Sequence, residues 1–200
     1  MARDPAHPRD QPGSFWDERY EGEDYVFGHE PNVWMAANEA LFEPGMTALL
    51  PGDGEGRNGV WLAERGLHVT TIDASPGVEI DIQVADLRDW DAPVGAYDLV
   101  VLAFLHVGPD DRATLHRKIA NTLKPDGLLI LEGFTPDHLG HGKGGPKDTR
   151  RMFTEDRLRE DFGGLLDIEY LEDLKTELPA SERHGGPAAV IRLRARRNAS

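Results

Sequence analysis

The chain has 200 residues, no cysteine and a formal net charge of −14. That length suits one domain large enough to bury an α/β core. The charge argues against a general nucleic-acid binder and against attachment to an anionic membrane surface, while the lack of cysteine excludes disulfides, thiolate zinc sites and cysteine nucleophiles and fits a cytoplasmic protein.

Residues 1–13, "MARDPAHPRDQPG", are dominated by proline and charge and read as a flexible tail without the apolar core of a signal peptide. Residues 14–45 read as a helical and aromatic arm. Ser14 would cap a short helix "FWDERY", the loop "EGEDYVFGHE" follows, and Pro31 would open the helix "PNVWMAANEALF" before "EPG" ends it. From residue 46 to 197 one domain is expected. "TALLP" and "HVTTID" read as buried strands around a helix "RNGVWLAERG", and "DIQVAD" reads as a third strand. "YDLVVLAFL" is apolar throughout and reads as a strand buried on both faces. The helix "PDDRATLHRKIANTL" carries Leu115, Ile119 and Leu123 on one stripe, and "GLLILEGF" is a fifth strand after the turn "KPDG". A glycine-rich loop "HLGHGKGGPKDT" leads to the helix "TEDRLREDFGG", with Thr154 as its cap. "LLDIEYLEDL" and "AAVIRLRAR" then alternate as two strands of a hairpin. Strands alternating with helices imply a Rossmann-like, doubly wound, mostly parallel sheet that ends in an antiparallel hairpin.

The most informative stretch is "ALLPGDGEGRNGVWLAERGLHVTTIDAS", residues 48–75. An apolar strand meets a glycine-rich turn, a helix follows, and the next strand ends in Asp73. Glycines let a ligand approach backbone N–H groups at such a turn, and an acid ending the second strand is placed to hold a ribose diol. Two registers fit. Gly52, Gly54 and Gly56 give G-x-G-x-G. Gly54, Gly56 and Gly59 give the G-x-G-x-x-G pattern of dinucleotide sites.

The helical segment before the first strand, the Ala85–Asp86 pair ending the third, "LKPDGLLILEGF" and the closing hairpin together resemble the class I S-adenosylmethionine-dependent methyltransferases. "FWDERYEGEDYVFGHEPNVWM" and "GGPKD" are similar to the tellurite-resistance and thiopurine methyltransferase-like branch. The resemblance runs from about Phe15 to Arg196. It implies S-adenosylmethionine as cofactor, S-adenosylhomocysteine as product and a small-molecule acceptor, with a soft sulfur, selenium or tellurium nucleophile among the candidates. It implies that Gly52, Asp53, Gly54 and Gly56 lie against the methionine part, that Asp73 and Ala74 meet the ribose, and that Asp86 and Leu87 meet the adenine. Phe104 to His106 would line the cofactor and face the acceptor. The front arm would fold over the site as a lid, bringing Trp16, Tyr20, Tyr25 and Phe27 near the sulfonium, whose charge aromatic faces attract. An ordinary cap on the sheet is the other reading of that arm.

Two departures stand out. The family places an acid two residues before the first glycine, and here that position is Leu50, with Asp53 or Glu55 as substitutes for holding the methionine amine. Only "ASPGVEI", residues 74–80, links the second and third strands, where a parallel crossover ordinarily needs a dozen residues or more.

His106, just past the fourth strand, is the candidate general base where the acceptor is a hydroxyl or amine. His29, His138, His141 and His184 fall in loops and read as solvated. No H-x-x-x-H or H-E-x-x-H spacing occurs, so no metal is expected. Arg192, Arg194 and Arg196 read as the exposed face of an edge strand, and Trp61 and Leu62 as core. Two other readings remain open: a nicotinamide-dependent oxidoreductase using the second glycine register, and an S-adenosylmethionine-binding protein without turnover.

Overall fold

A computed structural model describes residues 30–73, 81–84, 87, 89–141, 144–179 and 185–199. The tail and the front of the arm, with Trp16, Tyr20, Tyr25 and Phe27, lie outside these residues, as do Ala74, Ala85 and Asp86. Helix α1 spans Val33–Ala37, and a 3₁₀ turn spans Glu39–Leu41. Asn32 rather than Pro31 starts α1, because its side chain accepts a hydrogen bond from the Met35 N–H. Strand β1 (Thr47–Pro51), helix α2 (Arg57–Ala63), β2 (His68–Asp73), β3 (Asp81–Val84) and β4 (Tyr97–Ala103) follow. Then come α3 (Pro109–Thr122), β5 (Leu123–Phe134), α4 (Glu155–Phe162), β6 (Leu166–Leu178) and β7 (Gly186–Arg197). Thr154 caps α4 as expected, accepting from the Arg157 N–H.

The seven strands among the described residues form one sheet in the order β3-β2-β1-β4-β5-β7-β6. β1 to β5 are parallel, and β7 runs antiparallel to both β5 and β6. β2 and β3 pair in parallel despite their short link, with Thr70 beside Asp81 and Asp73 beside Val84. The return runs over only three residues of strand, about 10 Å, which seven residues cover at about 3.3–3.6 Å each.

Successive strand residues point to opposite faces, so the continuous apolar strands feed two cores. Leu49, Val100, Leu129 and Leu131 face α3 and α4, where Leu115 and Ile119 lie on the stripe read from the sequence; its third member, Leu123, joins the same core as the first residue of β5. Leu50, Val101, Leu128 and Ile130 face Trp34, Met35 and Leu62 of α1 and α2. The hairpin differs from expectation in one respect. The last strand, β7, enters the sheet between β5 and β6, so the edge is β6. Arg192 therefore stands inside the sheet, paired through Nε with Glu132 Oε1 at 2.7 Å. Arg194 and Arg196 meet Glu169 across the β6–β7 pair.

Candidate functional site

The site is built at the carboxyl ends of β1, β2 and β4, where ligands of open α/β sheets bind. Past Pro51, the Gly52 N–H continues the β1–β2 ladder by donating to the Ile72 carbonyl at 2.7 Å. Asp73, the next residue of β2 and its last, thus ends its strand beside the start of the glycine turn. Gly52, Gly54 and Gly56 all adopt positive φ, at 69°, 62° and 82°. A side chain is strained in that region, so the turn needs its glycines. A Cβ on Gly52 would lie 2.7 Å from Leu105 Cδ1. The segment leaving β4 therefore packs against the turn from the side away from Asp73.

That segment is itself unusual. Phe104 has φ of 56°, a left-handed conformation rare for a bulky residue and concentrated at functional sites. Its N–H donates to the Glu132 carbonyl at 2.8 Å, and its ring packs against Phe134 with centroids 4.7 Å apart. His106 lies beyond it. Nδ1 is 3.1 Å from the Arg151 carbonyl, and Nε2 accepts from the Phe134 N–H at 3.1 Å. One ring nitrogen donates and the other accepts, which fixes the neutral tautomer with the proton on Nδ1. Phe153 and Phe134 stack against the ring. The expected base is held between two backbone groups, and taking up a proton at Nε2 would first require release of the Phe134 N–H.

Asp53 is also engaged within the turn. Its Oδ1 accepts from Asn58 Nδ2 at 2.6 Å and its Oδ2 from the Gly59 N–H at 2.8 Å. Both oxygens serve the first turn of α2, so Asp53 shapes the loop. Leu87 packs partly buried against the α3–α4 core, and its carbonyl accepts from Lys118 Nζ at 3.3 Å. Leu50 is buried among apolar neighbours.

Sequence reasoning missed a buried polar chain beneath the turn. Asn32, Asn58 and Glu132 are all buried. Glu132 accepts from Asn32 Nδ2 and Arg192 Nε, and the Asn32 N–H donates to Asn58 Oδ1. Arg57 joins this region by donating to the Glu30 carbonyl. Burial holds its guanidinium below the usual range, against the opposing charges of Asp53, Glu55 and Glu132. A lone polar residue in "LLILEGF" was the available signal.

His138, expected in solvent, is buried. Its ring stacks on Phe134 with centroids 4.0 Å apart, and its Nδ1 lies 3.4 Å from the Ala189 N–H. Burial lowers its pKa from the ordinary value, against a raising contact with the Gly144 carbonyl. A cleft of about 290 Å³ beside it is lined by His141, Lys175, Thr176, Glu177 and Pro187–Ala189, and by no residue of the glycine turn. Among the described residues no helix is long and apolar enough to cross a membrane.

A sheet of this order, with an antiparallel strand inserted beside β5 and a glycine turn after β1, is the Rossmann-like fold of methyltransferases. Residues 49–127, which run from β1 into β5, match the family described as a methyltransferase domain. Solved structures share the fold at low identity. A methyltransferase from Methanosarcina mazei described as S-adenosylmethionine-dependent is 18% identical with a TM-score of 0.64, over 86% of this chain and 100% of that one. The 1,6-didemethyltoxoflavin-N1-methyltransferase of Burkholderia thailandensis, solved with S-adenosylhomocysteine, is 20% identical with a TM-score of 0.62, over 82% and 76%. TehB of Haemophilus influenzae is 15% identical with a TM-score of 0.65, over 92% and 66%. No curated protein sequence matches the chain.

Proposed function

We propose that the protein is an S-adenosylmethionine-dependent methyltransferase acting on a small-molecule acceptor, with residues 46–197 as its catalytic domain and residues 14–45 as an arm beside the site. The carrying observation is the run of three left-handed glycines at the carboxyl edge of the sheet, flanked by Asp73 on β2 and by Phe104–Leu105 leaving β4. It falls within the segment that matches the methyltransferase domain. The residues present fit the cofactor: the turn after β1 is made of left-handed glycines, and an acid ends the adjoining strand where a ribose diol is held. The structural neighbour holding S-adenosylhomocysteine supports the same reading.

When bound, the cofactor would supply an electrophilic methyl carbon on a sulfonium: an acceptor lone pair would form the new bond to that carbon as the carbon–sulfur bond breaks, and neutral S-adenosylhomocysteine would leave. The protein's part is to bind, orient and exclude water. Asp73 would hold the ribose hydroxyls and the Gly52–Gly56 backbone the methionine part, while Asp86 and Leu87 would hold the adenine. Trp16 and Tyr20 would be supplied by the arm, and Phe104 would line the cofactor and face the acceptor. With both nitrogens of His106 bonded to backbone, the site suits a soft nucleophile already deprotonated in solution, such as a thiolate, selenolate or tellurium oxyanion.

The test is transfer of isotope-labelled methyl from S-adenosylmethionine to a panel of small thiols, selenite, tellurite, phenols and amines. Labelled product together with S-adenosylhomocysteine on the soft acceptors is the expected outcome. Cofactor binding without turnover on any acceptor would leave a binding protein in place of an enzyme.

A further inference from the structure

Glu132 is 1% exposed, in the interior of the sheet. A buried carboxylate is costly to desolvate, and an apolar side chain of similar size would serve stability as well or better. Its contacts point to another use. Its carbonyl accepts from the N–H of Phe104, the left-handed residue that forms one flank of the site. Its carboxylate reaches the other flank through a relay. Arg192 Nε donates to Oε1 at 2.7 Å, and Asn32 Nδ2 donates to Oε2 at 2.7 Å. The Asn32 N–H donates to Asn58 Oδ1 at 2.7 Å, Asn58 Nδ2 donates to Asp53 Oδ1 at 2.6 Å, and Asp53 Oδ2 accepts from Gly59 at 2.8 Å. One residue on β5 thus contacts one wall of the proposed cofactor groove directly and reaches the other through Asn32, Asn58 and Asp53. It faces the same side of the sheet as Leu50, the apolar residue before the turn, and lies two strands away.

We infer that Glu132 is a positioning residue for cofactor binding: with Asn32 and Arg192 it holds the glycine turn and the β4 exit at the separation the cofactor requires. This rests on the methyltransferase reading above. The directions of the hydrogen bonds make it testable. In E132Q the new amide keeps an acceptor for Arg192 but turns its N–H₂ toward the Asn32 Nδ2 donor, so the link to Asn32 breaks. In N32D two carboxylates face each other. In the N32D/E132Q double variant, the amide at position 132 donates to the carboxylate at position 32. That carboxylate still accepts from the Met35 N–H, and the net charge of the group is restored.

The experiment is calorimetric titration of each variant with S-adenosylhomocysteine, with thermal unfolding recorded alongside. Loss of one hydrogen bond to a charged group is expected to weaken binding about tenfold in each single variant. The double variant should return to within about threefold of wild type. Should E132Q not fold, N32D against the double variant makes the same comparison. Wild-type affinity in a folded single variant, or a double variant no tighter than the singles, overturns the inference while leaving the methyltransferase reading intact. A wild-type protein that does not bind S-adenosylhomocysteine removes that reading instead.

Discussion

Gly52 shows how one missing side chain sets the site. Its φ of 69° disfavours any L side chain, and a Cβ there would press on Leu105 at 2.7 Å. Gly52→Ala is therefore expected to cost about 1–2 kcal/mol from the backbone alone. Leu105 must also move, and it is part of the wall facing the turn. Urea unfolding should show that loss, and binding of S-adenosylhomocysteine should fall by more than the stability change accounts for. Unchanged affinity in a folded Gly52→Ala protein would remove the turn from the groove. The glycine turn and the place of Asp73 at the end of β2 were legible in the sequence because spacing and strand position mark them. Asp53 was legible as a turn residue, but its hydrogen bonds with Asn58 and Gly59 were not. Whether a carboxylate faces a ligand or caps its own helix depends on side-chain direction, which spacing does not encode.

Helices α3 and α4 are joined by a buried charge cluster. Asp161 Oδ2 is 2.7 Å from His116 Nδ1 and from Arg112 Nε, with side-chain exposures of 1% for Asp161 and 3% for His116. His116 also stacks on Phe162. Burial pushes Asp161 up, but hydrogen bonds and charges from His116 and Arg112 outweigh it and hold the carboxyl below its ordinary value. Burial lowers His116, against the raising effect of Asp161. Both shifts act in the same direction. The unfolded chain binds more protons than the folded one below about pH 6.5 through His116, and again below about pH 4 through Asp161. Stability is therefore complete above about pH 6.5 and falls in two stages on acidification. Asp161→Ala leaves Arg112 buried without its partner and should cost about 3–5 kcal/mol near pH 7. It should also flatten the lower stage in urea unfolding followed from pH 7.5 to 3.5; an unchanged acid limb would contradict the assignment. At this scale the sequence was legible for α3, whose apolar stripe and length agree with the structure. It was less so for the hairpin. β7 alternates charge with apolar residues, which reads as an edge strand. Its insertion between β5 and β6 is a tertiary fact, and it turns Arg192 from a surface residue into the partner of Glu132.

For the whole molecule, the alternation of strands and helices carried the fold, because a parallel sheet covered on both faces has few other solutions. The 74–80 link is too short for a helical crossover but long enough to run back along a short strand, and β2 and β3 do pair, since three residues of return need little chain. The polar relay from Arg192 to Asp53 was illegible for the opposite reason: its members, from Asn32 to Arg192, lie up to 160 residues apart in sequence and meet only in the folded sheet. What the assembled parts hold is tested most directly by calorimetric titration of the wild-type protein and of Asp73→Ala, each with S-adenosylhomocysteine and with NADH. The account predicts that S-adenosylhomocysteine binds the wild type and NADH does not. It also predicts that Asp73→Ala stays folded and weakens binding about tenfold or more, as expected for lost hydrogen bonds to a charged group. Binding of NADH in place of S-adenosylhomocysteine, or an isotherm unchanged by Asp73→Ala, would contradict it.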